Sequence, residues 1–234
     1  WNSINETDKT LKKMNYSKLQ IFEAYYRFAP KNIEKLLEKN SIMEVASGDE
    51  RRLAGSMAIV GIDPAGKDTT LENRNRFLEA LERRQRKQGG ITVSSDARLS
   101  VLKLLFPTEK GDTVQFAVDL IRDFPENACR NYIPATVFLF HSQFIYGVAG
   151  TETQCFPFLD TRDEFHQDEY AAWFGTMGLR IVVTEEIMQS GCGDKDTRYL
   201  GYISANSGQV KLYEVLDACP NRERMAKLRT KEKF

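Results

Sequence analysis

Histidine occurs only twice in these 234 residues and cysteine four times, and neither is clustered. Cys129, Cys155, Cys192 and Cys219 form no C-x-x-C pair, which argues against a zinc site. Single, widely spaced thiols fit reduced residues in a cytosolic domain better than a disulfide framework. Charge of one sign is also missing. Lys and Arg number 33, Asp and Glu number 33, and the net charge is zero, so the overall balance makes no electrostatic case for nucleic acid or an anionic membrane. No apolar run approaches the roughly 20 residues that span a bilayer, and no signal-peptide pattern opens the chain. The chain begins at Trp1 without a Met and reads as a fragment of something longer, a membrane segment upstream being one option.

What is present is enough for a packed core. Hydrophobic residues make up 41% of a 26.8 kDa chain, the size of one large domain or of one domain with an appendage. Residues 4–28 contain no Pro or Gly, and Leu11, Met14, Leu19, Phe22, Tyr25 and Phe28 recur at helical spacing, predicting an amphipathic helix that ends before Pro30. A second helix is expected over Pro30 to Lys39, with Pro in its first turn and Ile33, Leu36 and Leu37 on one face. Gly48-Asp49 then opens a turn.

From Gly55 onward strand and helix patterns alternate. The reading is strand 55–62, helix 70–88, a hairpin over 91–105, helix 112–124, and a strand 135–141 paired with 144–149. This β-α-β-β-α-β order is that of a ferredoxin-like core, an antiparallel sheet with helices on one face. An apolar stretch at 155–159, helix 164–176, strand 179–184, a short helix from Glu185 and a hairpin of 199–204 with 209–216 follow, and the charged tail from Asn221 is frayed. The expected fold class is α+β, an α/β sandwich with an extra C-terminal strand, helix and hairpin. Its expected divisions are an N-terminal amphipathic helix over 1–29, a globular domain over 30–220 and a tail over 221–234.

Several features that resemble sites have plainer readings. The run Arg83-Arg84-Gln85-Arg86-Lys87 falls at the C-terminal end of a predicted helix, where cations complement the dipole. Gly147-Val148-Ala149-Gly150 lacks the following Lys-Ser/Thr of a phosphate loop. Phe138, Phe140, Phe144, Tyr146, Phe156 and Phe158 alternate along strands, which suits a core or a subunit interface rather than base stacking. His141 and His166 read as packed or solvated side chains. Asp63, followed by Pro64-Ala65-Gly66, has the look of a turn or cap residue as well as of a ligand.

A set of short motifs nevertheless runs in order. They are Tyr26-Arg27-Phe28-Ala29-Pro30-Lys31, Gly48-Asp49, Met57 to Asp63 with Gly66, Gly89-Gly90, Leu104-Leu105-Phe106-Pro107, His141-Ser142, Thr184-Glu185-Glu186 and Tyr213-Glu214-Val215. Together they resemble the catalytic domain of class III adenylate and guanylate cyclases over about residues 20–217.

That resemblance implies a definite chemistry. Closing a 3′,5′-cyclic phosphodiester takes two divalent cations held by two carboxylates, together with an Arg and an Asn that stabilise the phosphoryl charge and orient the ribose. Aligned on the family, Asp63 stands at the first metal acid and Ser100, a neutral hydroxyl, at the second. Phe165 takes the Asn position and Glu169 the Arg position, where its charge opposes a triphosphate. Asp96 stands near the purine-selecting Lys, and Ser204-Ala205-Asn206-Ser207 replaces the late phosphate-binding Lys. Arg98, Lys103 and Lys211 are the nearby cations that stand as substitutes, and Asp68 and Asp96 are alternative acids.

The resemblance therefore implies a degenerate cyclase-homology domain that is catalytically inactive and works as a dimerising signal module. No cofactor is expected; Mg or Mn would serve if the chain were active. The alternatives are an active adenylate or guanylate cyclase with divergent site residues, and a non-catalytic sensor of ATP, GTP or another ligand. A homodimer, or a heterodimer with another cyclase-type chain, is the implied assembly. The expected location is cytoplasmic, either free or as the cytosolic part of a membrane-bound receptor.

Overall fold

The computed structural model describes residues 11–14, 16, 33–62, 71–95, 101–107, 112–123, 135–151, 155–161, 167–205 and 208–216. The chain forms two units, Trp1–Val45 and Ala46–Phe234. In the first, residues 11–14 and 16 are helical and expose Leu11, Met14 and Tyr16. Helix α1 (Ile33–Leu36) buries Ile33 and Leu36, and Leu37 beyond it is buried too. It is shorter than the helix expected to run to Lys39. Glu38 takes a φ of 56°, and the bonds Lys39 N–H to Glu34 O and Glu38 N–H to Lys35 O close the end as a Schellman motif. A 3-10 turn, Ile42–Glu44, follows, capped by the Ser41 hydroxyl, which accepts from Met43 N–H at 3.2 Å.

The second unit is built on one eight-stranded sheet. Its elements are β1 (Glu50–Ile62), α2 (Leu71–Lys87), β2 (Ile91–Ser95), β3 (Val101–Phe106), α3 (Thr113–Asp123), β4 (Ala135–Gly150), β5 (Cys155–Thr161), α4 (Gln167–Thr176), β6 (Ile181–Thr184), α5 (Glu185–Gly191), β7 (Thr197–Ala205) and β8 (Gly208–Val215). The strand order is β2-β3-β1-β4-β6-β8-β7, with β5 paired to β4. The first four strands reproduce the ferredoxin-like core, all antiparallel, and β6 joins β4 in parallel.

One expectation fails in an instructive way. Residues 135–150 are a single strand and not a hairpin of 135–141 with 144–149. His141-Ser142-Gln143 offers no Gly, Pro or Asn for a tight turn. Strand β1 begins at Glu50, earlier than expected, and its extra length pairs this segment through Ser56↔His141, Gly55↔Ser142 and Ala54↔Gln143. The turn comes after Gly150, at φ 140°, and β5 supplies the partner, from Phe144↔Thr161 to Gly150↔Cys155.

Strand alternation divides the core into two layers. On one face Ala58, Val60, Leu102, Leu104, Val137, Leu139 and Val183 meet Phe77 and Leu81 of α2, Val114, Ala117 and Leu120 of α3, and Ile187 of α5. On the opposite face α4 lies alone among the described helices of this unit, so the helices do not all sit on one side. Its Phe174 ring stands 5.4 Å from that of Phe138, edge to face, and Tyr170 lies 6.3 Å from Phe138. Phe140, Phe144 and Tyr146 are fully buried.

Candidate functional site

The pairing register brings three strand ends together. Gly61 of β1 pairs with Val101, the first residue of β3, and with Thr136 of β4, while Ile62 pairs with Ala135. In sequence, Asp63 follows Ile62 and Ser100 precedes Val101. Asp63, Asp96, Ser100, Phe165 and Asn206 lie outside the described residues, as do Asp68, Arg98 and His166.

Helix α4 packs against this end of the sheet over Gly61, where a Cβ would fill the space up to Ala171 and a larger side chain would not fit. A Cβ there would come within 3.4 Å of the Ala171 carbonyl and 3.6 Å of the Ala171 Cβ. Gly175 lies against Thr136 in the same manner, and the buried Thr136 hydroxyl donates to the Leu179 carbonyl at 3.0 Å. Glu169, the residue aligned on the family's Arg, belongs to α4 two positions before Ala171, and its side chain lies outside the described residues.

The cations singled out in the sequence differ in their surroundings, and Lys211, one residue past the Leu212↔Thr184 pair, lies toward the other end of the sheet. Lys211 Nζ donates to Glu185 Oε1 at 2.9 Å, and that hydrogen bond, reinforced by the carboxylate's charge, raises the amine above its ordinary 10.5. Leu212 lines the α4 side of β8, so Lys211 points to the α5 side. It is paired there and is no ready substitute for a phosphate-binding cation facing α4. Lys103, flanked by Leu102 and Leu104 of the α2–α3 core, stands on the α4 face. His141 Nδ1 lies 3.4 Å from Ser56 Oγ across the β1–β4 pair, as a packed histidine does. Gly147 to Gly150 form the end of β4 rather than a loop, and Arg86 of the basic run pairs with Glu82 one turn back along α2. Among the described residues no group of three or more His, Cys, Asp and Glu is placed to hold a metal ion.

A cavity of about 330 Å³ that the sequence did not announce lies between α4 and the β7–β8 hairpin. Its traces in the sequence are Trp173 on α4 and Met177 four residues on, just past the helix end, and Gly201 within a strand, a signature of a bulge.

No protein-family model and no curated protein matches the sequence. Solved structures do match the fold. A bacterial light-regulated adenylyl cyclase superposes with a TM-score of 0.70 at 13% identity, over 90% of this chain and 65% of its own. A guanylate cyclase domain from Catenaria anguillulae in complex with GTP gives 0.52 at 14% identity, over 70% of this chain and 97% of its own. A dimeric guanylyl cyclase domain from the aquatic fungus Blastocladiella emersonii gives 0.52 at 14%, over 71% and 97%. This chain thus spans somewhat under two thirds of the length of the light-regulated enzyme, at 65%. The order β2-β3-β1-β4 with its added β6, β8 and β7, helices on both faces, and these superpositions agree: the chain has the fold of the adenylyl and guanylyl cyclase catalytic domain.

Proposed function

We propose that this domain keeps the cyclase frame without the cyclase reaction, and that it acts as a signalling module by pairing with a second cyclase-type chain, its own copy or a relative. The observation that supports the reading is the Gly61↔Val101 pair, which joins the end of β1 to the start of β3; in sequence Asp63 follows the last residue of the one strand and Ser100 precedes the first of the other. A two-metal centre asks for a carboxylate at both. The residues are Asp63 and Ser100, a donor set that does not fit a pair of divalent cations.

The substitutions elsewhere point the same way. Glu169 and Asp96 reverse the charge that a nucleotide triphosphate needs, and Phe165 has no hydrogen-bonding group for a ribose. The pairing of Lys211 with Glu185 withdraws one candidate replacement. The dimeric fungal domain supports assembly through like domains, and the GTP complex supports a purine nucleotide as the ligand to test first. In this reading residues 1–29 transmit a conformational change into the domain of residues 30–220, as the cytosolic portion of a larger receptor.

Turnover of ATP and GTP by the purified chain in Mn²⁺, with calorimetric nucleotide titration in the same buffer, tests the proposal. No cyclic nucleotide is expected, and binding without turnover would make the domain a nucleotide sensor. Turnover abolished by Asp63→Ala would overturn the proposal and point to a second metal acid at a position other than 100.

A further inference from the structure

The cleft between α4 and the β7–β8 hairpin has the dimensions of a small-molecule site. Its volume, about 330 Å³, is at the lower end of the range that holds small ligands. Ile203 and Leu212, both buried, form the floor. The mouth is rimmed by Trp173, Met177 and Tyr202, exposed to 53%, 45% and 59%. Two aromatic side chains and a thioether around one opening offer flat, polarisable surface for a ring to lie against.

A bulge creates the space. The β7–β8 register passes from Tyr199↔Tyr213 to Gly201↔Leu212, so Leu200 is an extra residue in β7. Gly201 carries the chain past it at φ 139°, and a Cβ on Gly201 would meet nothing within 4 Å. Glycine is required there for its backbone angle, and the space beside it is open.

One charged side chain lines this largely apolar cleft. Arg198 Nη2 donates to Glu214 Oε2 at 2.6 Å, which neutralises the guanidinium, while the buried Arg198 Nε–H has no acceptor among the described residues. The cleft therefore presents largely apolar walls, no net charge, the indole N–H of Trp173 and the hydroxyl of Tyr202 at its rim, and one buried guanidinium N–H awaiting an acceptor.

We propose that this cleft binds a flat, uncharged aromatic molecule of about two fused rings bearing one carbonyl-type acceptor. Trp173, Met177 and Tyr202 hold its ring, and Arg198 Nε–H holds its acceptor. A charged ligand is disfavoured because the guanidinium already has its counter-ion.

Coumarin, two fused rings with a lactone carbonyl, and naphthalene, of similar size without an acceptor, form the test pair. The chain has two Trp, so in a Trp1→Phe background Trp173 is the sole indole reporter. Coumarin is expected to change Trp173 fluorescence saturably at one-to-one stoichiometry, and naphthalene to bind about tenfold more weakly. Met177→Glu, at an exposed rim position, should weaken both about tenfold or more. Arg198→Lys keeps a cation opposite Glu214 and removes the Nε donor, so it should reduce coumarin to the affinity of naphthalene. Should Arg198→Lys lose its cooperative unfolding transition, the coumarin to naphthalene ratio on the Trp1→Phe chain decides alone. Equal affinities, an unchanged response in Met177→Glu, or no saturable response at the solubility limit would overturn the proposal. So would a signal that follows protein concentration together with a dimer in sedimentation, which would make the cleft a contact between copies.

Discussion

Arg198 and Glu214 illustrate how a single residue's role depends on register. Glu214 is completely buried, and its carboxylate lies 2.6 Å from Arg198. Removing the guanidinium leaves that carboxylate in a low-dielectric layer without its cation, so Arg198→Ala should cost about 3 kcal/mol in urea unfolding. Replacing both residues with apolar ones should cost much less, because no orphan charge remains. The pair could not be read by counting. Starting from the Ala205↔Gly208 end of the hairpin, unbroken pairing would set Tyr199 opposite Glu214, and the bulge at Leu200 brings Arg198 there instead. Lys211 gives a pH prediction at the same scale. Its folded pKa is raised above 10.5, so the Glu185 pair contributes fully below pH 10.5 and fades as the pH climbs through the folded value. A lysine-selective NMR titration should show one amine titrating late, and Glu185→Gln should return it toward 10.5.

At the scale of elements, two glycines decide what can touch. A Cβ at Gly55 would lie 2.6 Å from the Phe106 carbonyl, a backbone atom that cannot turn aside. Gly55→Ala should therefore separate β1 from β3 locally and cost about 1–3 kcal/mol, measurable as a lower midpoint in chemical denaturation. Gly61 instead sets the seat of α4. Gly61→Leu would drive a side chain into Ala171, and amide exchange across 167–176 should quicken while β2 and the start of α3 keep their protection. The existence of most elements was legible. Helices at 71–87 and 113–123 and the closing strands match the periodic patterns, since an amphipathic helix or a half-buried strand declares its exposed face locally. Strand β4 was misjudged because its middle, His141 to Gln143, is polar, and that polarity belongs to a long sheet extension in which Ser142 is buried and Gln143 exposed rather than to a turn.

For the whole molecule, the expectation to test is how the fold responds to the ions and nucleotides that a cyclase would bind. A ligand that binds the folded state raises its stability by mass action. On the proposed loss of the second metal acid, millimolar Mn²⁺ and GTP should leave the thermal midpoint within about 1 °C of the apo value. A rise of several degrees that Asp63→Ala removes would instead reveal a working metal site. The family resemblance was legible in the sequence from motif order alone, and the strand order and superpositions bear out the fold it implied. The candidate site was legible only as identities at positions, because it is assembled from strand ends far apart in the chain.

The sequence by itself determined the alternation of strands and helices, the balance of charge, and the identities Ser100, Glu169 and Phe165 at positions where the family resemblance implies an acid, a base and an amide. These are local properties, set by periodicity and by side-chain chemistry, and they do not depend on which residues meet. Tertiary structure alone decided that β4 runs unbroken beside β1, that α4 occupies the opposite face on Gly61, that Lys211 is held by Glu185, and that a bulge opens a cleft beside Arg198. Each of these rests on contacts between residues distant in sequence. Their register follows from the summed packing of the sheet and not from any one segment's preference.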